Sequence, residues 1–170
     1  MKIEYREELS GDSEKIFELN KSVFETDAEA RLVDALRESK KLLLSMVAVA
    51  DHKIVGHIAF SPMSIEQQGK RKLAGLGPME VATSFQKQGV GSSLINKSEE
   101  KLKAMGYDAI FLLGHKEYYP KFGYRPSLPS FGIRSKYDVP DEFFMAKPIS
   151  DKGLDGLSGT IHYTSEFDEL

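Results

Sequence analysis

The sequence predicts one mixed α/β domain, and three observations carry that prediction. The hydrophobic period changes from helical to strand-like near Leu42 and returns to helical beyond Gly91. The predicted order, β-α-α-β-β-β-α-β, closes with a strand–helix–strand unit, which must be parallel and right-handed. No linker, internal repeat or low-complexity tract divides the 170 residues. Residues 1–170 therefore read as one unit, long enough to bury a real core.

The elements follow in order. Ile3 to Arg6 alternates as a first strand. "GDSEKIFELNKSVF" switches to helical spacing, with Ile16, Phe17, Leu19, Val23 and Phe24 on one apolar face and Asp12 or Ser13 as its cap. A second helix starts at Thr26, with Glu29 three residues on in the pattern of a capping box, and Leu32, Val33 and Leu36 turn inward. "LSMVAVAD" and "IVGHIAFSPMSIE" are strands that pair as a hairpin across Asp51-His52-Lys53. After the polar turn "QQGKRK", a third run extends from Leu73 to Val81. Leu94, Ile95, Ser98, Leu102 and Met105 line a helix that Gly106 can end. "DAIFLLG" is almost wholly apolar, as a strand buried on both faces should be. "EYYPKFGY", a proline-punctuated loop, "EFFMAKPI" and "GTIHYTSEF" follow, and predict a short helix and two late strands.

Composition narrows the function classes. A net charge of −3 and a pI near 5.9 leave no basic footprint for nucleic acid or an anionic membrane. The chain has no cysteine, which excludes disulfides, thiolate metal sites and a cysteine nucleophile. Its four histidines show no metal-ligand spacing, so no metal is expected. "MKIEYREELSGD" is charged throughout, unlike a signal peptide, and "LLLSMVAVA" is too short to cross a bilayer. A soluble cytoplasmic protein is the expectation.

The third strand is the odd one. "LAGLGPMEV" carries Gly75, Gly77 and Pro78 where a central strand should pair, which marks an edge, a bulge or the close approach of a ligand. It runs directly into "TSFQKQGVGSSL", a glycine loop that opens a helix. The first N–H groups of a helix lack internal partners, and the helix dipole adds positive charge there. Gly89 and Gly91 let backbone amides turn toward a phosphate, and Gln86, Lys87 and Gln88 offer side-chain donors. A nucleotide P-loop needs a Gly-Lys-Ser/Thr string that this chain lacks. A dinucleotide site needs a third glycine where Leu94 stands, and an acid where Gly114 and His115 stand.

Taken together, "GPMEVATSFQKQGVGSSL", "AIFLLG" and "YYPKFGY" resemble the GNAT superfamily of acetyl-CoA-dependent N-acetyltransferases, and within it the bacterial YhbS-like branch. The resemblance covers nearly the whole chain, with a cofactor core at 73–124. It implies a mixed, mostly antiparallel central sheet, flanked by helices, whose fourth and fifth strands splay apart to admit the pantetheine arm. Met79, Glu80 and Val81 would meet that arm, with the Val81 N–H at the thioester carbonyl. Gln86, Lys87, Gln88, Gly89, Val90, Gly91 and Ser92 would hold the pyrophosphate.

The resemblance also implies the chemistry: direct acetyl transfer to a primary amine, on a small molecule or a protein, in a ternary complex. Tyr119 matches the family tyrosine that donates to the sulfur and touches the cofactor; Tyr118 is its neighbour and competitor. Glu80 is the candidate base, set against a reading as a substrate-specific or merely solvated acid. His57 and His115 titrate in a useful range, yet lone histidines are more often structural or exposed. A non-catalytic acyl-CoA-binding module is the alternative, and late strands in this family often take part in homodimers.

Overall fold

Asp51 and His52 both adopt positive φ, 48° and 66°, which is the backbone of a two-residue type I′ turn. That turn joins β2 (Leu44–Ala50) to β3 (Lys53–Met63) in the expected antiparallel hairpin. The structure, a computed structural model, describes residues 2–169. β1 (Ile3–Glu7) adds outside β2, and β4 (Leu73–Val81) adds on the other side of β3. β5 (Ala109–Leu113) lies parallel to β4, as the strand–helix–strand unit requires. Beyond it come β8 (Phe144–Pro148) and β6 (Arg125–Pro126), completing a seven-stranded sheet in which only the β4–β5 pair is parallel. β7 (Ile133–Ser135) and β9 (Gly159–Ile161) form a small parallel pair of their own.

Helices cover both faces of the sheet. α3 (Val90–Ala104) packs Leu94, Ile95 and Leu102 onto Met46, Ala48, Ile58 and Phe60. α1 (Ser13–Val23) and α2 (Ala28–Glu38) cover the opposite face, where Ile16 and Val33 meet Val47, and Leu32 and Leu36 join a cluster with Phe111 and Phe144. A short α4 (Ser127–Phe131) follows β6. No helix among the described residues is long and apolar enough to cross a membrane.

Four local expectations need correction. Met105 falls at the C-cap of α3 and is 40% exposed, because the helix ends before its side chain can turn inward. The capping box at Thr26 does not close: the Thr26 hydroxyl accepts the Ala28 N–H instead, and α2 starts after Asp27. Asp12 sits at the N-cap of α1, but its carboxylate is taken by Arg6 and by the Leu9 N–H. The late segment holds β6 and β7 as well as β8 and β9, because short strands on a sheet edge leave little periodicity to read.

β4 is central rather than an edge, and its glycine–proline pair makes a bulge. Leu76 pairs with Phe60 and Met79 with Ile58, so Gly77 and Pro78 together oppose only Ala59. The extra residue reverses the alternation of side chains. Before it, Ala74 and Leu76 face α3, while Leu73 belongs to the cluster on the other side. After it, Met79 and Val81 face α3, and Glu80 is turned toward α1 and α2.

Candidate active site

β4 and β5 pair only from Leu73–Ala109 to Leu76–Leu112. Beyond those residues β4 stays with β3, while β5 stays with β8 to Phe144, so a gap opens between them. The Ala82 N–H bonds the Val55 carbonyl at 2.7 Å, on the β3 side. By alternation the Glu80 backbone also faces β3, and the backbone groups of Met79 and Val81 face the gap. The Met79 groups and the Val81 N–H can pair with an extended ligand, while the Val81 carbonyl accepts from Gln86 Nε2 at 3.0 Å.

At the head of the gap the chain turns into α3. Gly89 is its N-cap with φ 86°, a left-handed conformation that the loop needs and that Lys87 shares at φ 62°. A side chain at Gly91 would stand 2.8 Å from the Tyr118 hydroxyl, so the first turn stays open to a close ligand only because that position is bare. The Gln86 amide is held by the Val81 carbonyl at 3.0 Å and the Gln88 amide by the Ser84 carbonyl at 3.1 Å. These side chains brace the turn and leave the backbone N–H groups of the first helical turn without intrahelical partners, an arrangement that can bind an anion.

The gap opens into a cleft of about 610 Å³ between the sheet and the α1–α2 junction. Leu76, Met79 and Tyr119 line one end. Tyr119 is pressed against Gly114 and makes edge contacts with the rings of Tyr118 and Tyr124. Burial, with a smaller contribution from Tyr118, pushes its phenol up to about 12. The two tyrosines are thus separated in place, Tyr119 in the cleft and Tyr118 over the helix start.

Glu80 is the strongest electrostatic feature. Its side chain is 0% exposed, and its Oε1 lies 3.1 Å from Nδ1 of His57, its direct partner across β3. His57 Nε2 is 2.8 Å from Ser45 Oγ, and Ser45 donates to Glu8 Oε1 at 2.7 Å. Arg37 donates to both oxygens of Glu8 at 2.8 Å. Burial opposes ionisation of Glu8, but bonds from Arg37 and Ser45 outweigh it and hold the carboxyl below its usual range.

Counting hydrogens fixes the state of this chain. A carboxylate only accepts, so the one Ser45 hydroxyl proton is committed to Glu8, and His57 Nε2 must carry the proton it donates to Ser45. Between Glu80 Oε1 and His57 Nδ1 there must then be one proton, or a lone pair would face a carboxylate. Burial raises Glu80 above the carboxylate range, His57 opposes this, and Glu29 adds to it. The buried pair therefore shares one proton between Glu80 Oε1 and His57 Nδ1. Glu80 Oε2 is buried and has no hydrogen-bond partner.

The structure thus brings together the predicted residues along β4, around the α3 turn and at Tyr119. Sequence reasoning missed the His57–Ser45–Glu8–Arg37 chain and Glu29, which lines the cleft with its Oε2 buried and without a partner.

This fold and site define an acyl-CoA N-acyltransferase class, and comparison with known proteins agrees. A family model described as an acetyltransferase (GNAT) domain matches residues 4–127. The chain is 30% identical over 166 residues to the uncharacterized N-acetyltransferase YhbS of Escherichia coli (strain K12), covering 97% of this chain and 98% of that protein. The E. coli YhbS crystal structure in complex with CoA has a TM-score of 0.94 at 30% identity and covers 99% of this chain and 93% of that one. A GNAT acetyltransferase from Brucella melitensis in complex with acetyl-CoA has a TM-score of 0.80, also at 30% identity, with coverages of 98% and 99%. The chain belongs to the GNAT family of acetyltransferases.

Proposed function

We propose that the protein transfers acetyl from acetyl-CoA directly to a primary amine in a ternary complex. The observation that carries this reading is the gap between β4 and β5, which runs from the α3 turn to a cleft containing Tyr119. CoA and acetyl-CoA occupy relatives of this fold at 30% identity. When bound, acetyl-CoA supplies a thioester whose acyl carbon is the electrophile.

The residues divide the work. Met79 and Val81 pair with the pantetheine arm through their gap-facing backbone, and Glu80 belongs to the same strand segment. Residues 86–92, Gln86, Lys87, Gln88, Gly89, Val90, Gly91 and Ser92, cradle the pyrophosphate through main-chain N–H groups. The Val81 N–H is aimed to stabilise charge on the thioester oxygen. Holding both reactants in line supplies much of the rate.

Glu80 serves as the base by relay. Its Oε2 takes the acceptor's proton, directly or through one water, while the proton shared between Oε1 and Nδ1 settles on His57. The imidazolium so formed is stabilised across Ser45 by the Glu8 carboxylate. No step requires a lone, buried carboxylate. A cytoplasmic setting fits the absence of cysteine and the use of an intracellular thioester.

Tyr119 has a narrower role than a full acid. With its phenol near 12, complete proton transfer to a thiolate of ordinary pKa ~8.5 is uphill by about 5 kcal/mol. A hydrogen bond to the developing thiolate has no such cost. Tyr119→Phe is accordingly expected to lower kcat roughly tenfold to a hundredfold, with little change in acetyl-CoA affinity. An unchanged kcat would remove Tyr119 from the chemistry.

Calorimetry with acetyl-CoA, followed by a thiol-release screen over an amine library, tests the whole reading. Absence of binding at millimolar ligand would overturn it. Binding without thiol release from any amine would leave an acyl-CoA-binding module.

A further inference from the structure

The cleft beyond the gap has a lopsided charge balance. Among the residues that line it there is no lysine or arginine, and the two acids are Glu29 and Asp168. Asp168 is already compensated: Lys136 Nζ approaches its two oxygens at 2.9 and 3.2 Å, and the Tyr137 hydroxyl donates to it at 2.9 Å. Glu29 is not. It stands in the first turn of α2, where the capping box that would have occupied its carboxylate does not form, and its Oε2 is buried without a partner. A buried carboxylate oxygen with nothing to accept is costly unless a ligand completes it. Glu80 Oε2 is a second buried oxygen without a partner. The two acids are near enough that the charge of Glu29 raises Glu80.

The rest of the cleft wall is apolar and ring-rich. Leu32 lies one helical turn after Glu29 and faces the same space, as does Phe24 at the end of α1. Opposite them, Tyr137, Tyr163 and Phe167 form a contiguous ring cluster, with centroids 5.9 and 4.6 Å apart.

We infer that the acceptor is a primary monoamine carried on an apolar, ring-sized body, with its ammonium held by Glu29 beside the Glu80–His57 pair. This rests on the acetyl-transfer reading and names its substrate class. One uncompensated carboxylate matches one positive charge. An amino acid would bring its own carboxylate to a wall that offers no cation, and a polyamine would leave its further ammonium groups against aromatic rings with no acid to meet them. An apolar body fills the wall beyond Glu29 and displaces its water.

Three acceptors separate these possibilities: 2-phenylethylamine, phenylalanine, which differs from it by one carboxylate, and spermidine. Thiol release at saturating acetyl-CoA is expected to give 2-phenylethylamine a kcat/KM at least about tenfold above either of the others. Glu29→Gln is expected to raise the KM for 2-phenylethylamine about tenfold or more, with the KM for acetyl-CoA and the melting temperature unchanged. Phenylalanine or spermidine turned over as well as 2-phenylethylamine would overturn the inference while leaving acetyl transfer intact. An unchanged acceptor KM in Glu29→Gln would also overturn it. No thiol release with any of the three, while another amine of the library releases thiol, would overturn the inference alone; no release across the whole library, despite measured acetyl-CoA binding, would remove the acetyl-transfer reading and this inference with it.

Discussion

Glu80→Gln is expected to lower kcat about a hundredfold or more near neutral pH, while acetyl-CoA affinity and melting temperature stay close to those of the parent. The stability expectation follows from the state of the buried pair. Glu80 and Nδ1 of His57 share one proton, and a glutamine amide, which carries both a donor N–H and an acceptor C=O, can keep a hydrogen bond to that nitrogen at nearly the same place. The substitution therefore keeps the hydrogen bond and removes only the capacity to accept a proton at one oxygen while releasing one from the other. The pH profile separates this from a structural role. The pair works as a base while it holds one proton, so acidification that adds a second must slow the parent enzyme. The variant has no such pair to titrate, and this acid limb should disappear from its residual rate. A kcat within a few-fold of the parent, or an acid limb that persists unchanged, would sink the relay.

Gly89→Val should act on the other substrate. At φ 86° a β-branched residue meets a steric penalty of about 1–2 kcal/mol in place, and the loop relieves it by moving. Movement at the N-cap of α3 turns away the N–H groups that converge on one anion. The dissociation constant for acetyl-CoA is expected to rise about a hundredfold, while α3 keeps its packing through Leu94, Ile95 and Leu102. Calorimetry reads the affinity, and far-ultraviolet circular dichroism with thermal melting reads the fold. Retained affinity would mean that the pyrophosphate is not held at this turn.

The fold was largely readable because its main elements carry strong local patterns. The helical stripe of α3, the apolar run of β5 and the Asp51-His52 turn each announce themselves within a dozen residues. The glycine turn was readable for the same reason, since Gly89 and Gly91 stand next to the helix they open. The proton chain was not. His57 and Glu80 are direct cross-strand partners, but seeing that requires the register of β3 against β4. A long connection between those strands does not set the register, and the bulge at Gly77 and Pro78 shifts it by one. His57 therefore read as a lone histidine. Glu29 was hidden differently: its spacing from Thr26 matched a helix-capping pattern, and the local reading claimed a carboxylate that the folded chain leaves free.

The single extra residue in β4 separates two tasks along one strand. Upstream of it, side chains obey the sheet's frame and build the core; downstream, that frame is offset by one position. A chain shortened there by one residue would turn Glu80 toward α3 and Met79 toward the His57–Ser45–Glu8 chain on the other face. Which side chain of this segment meets His57 is thus set by the count of residues before it as much as by its own chemistry. Substitutions at Glu80 reach the His57–Ser45–Glu8 chain and those at Met79 and Val81 reach the α3 core, so neighbouring positions of one strand answer to different surroundings.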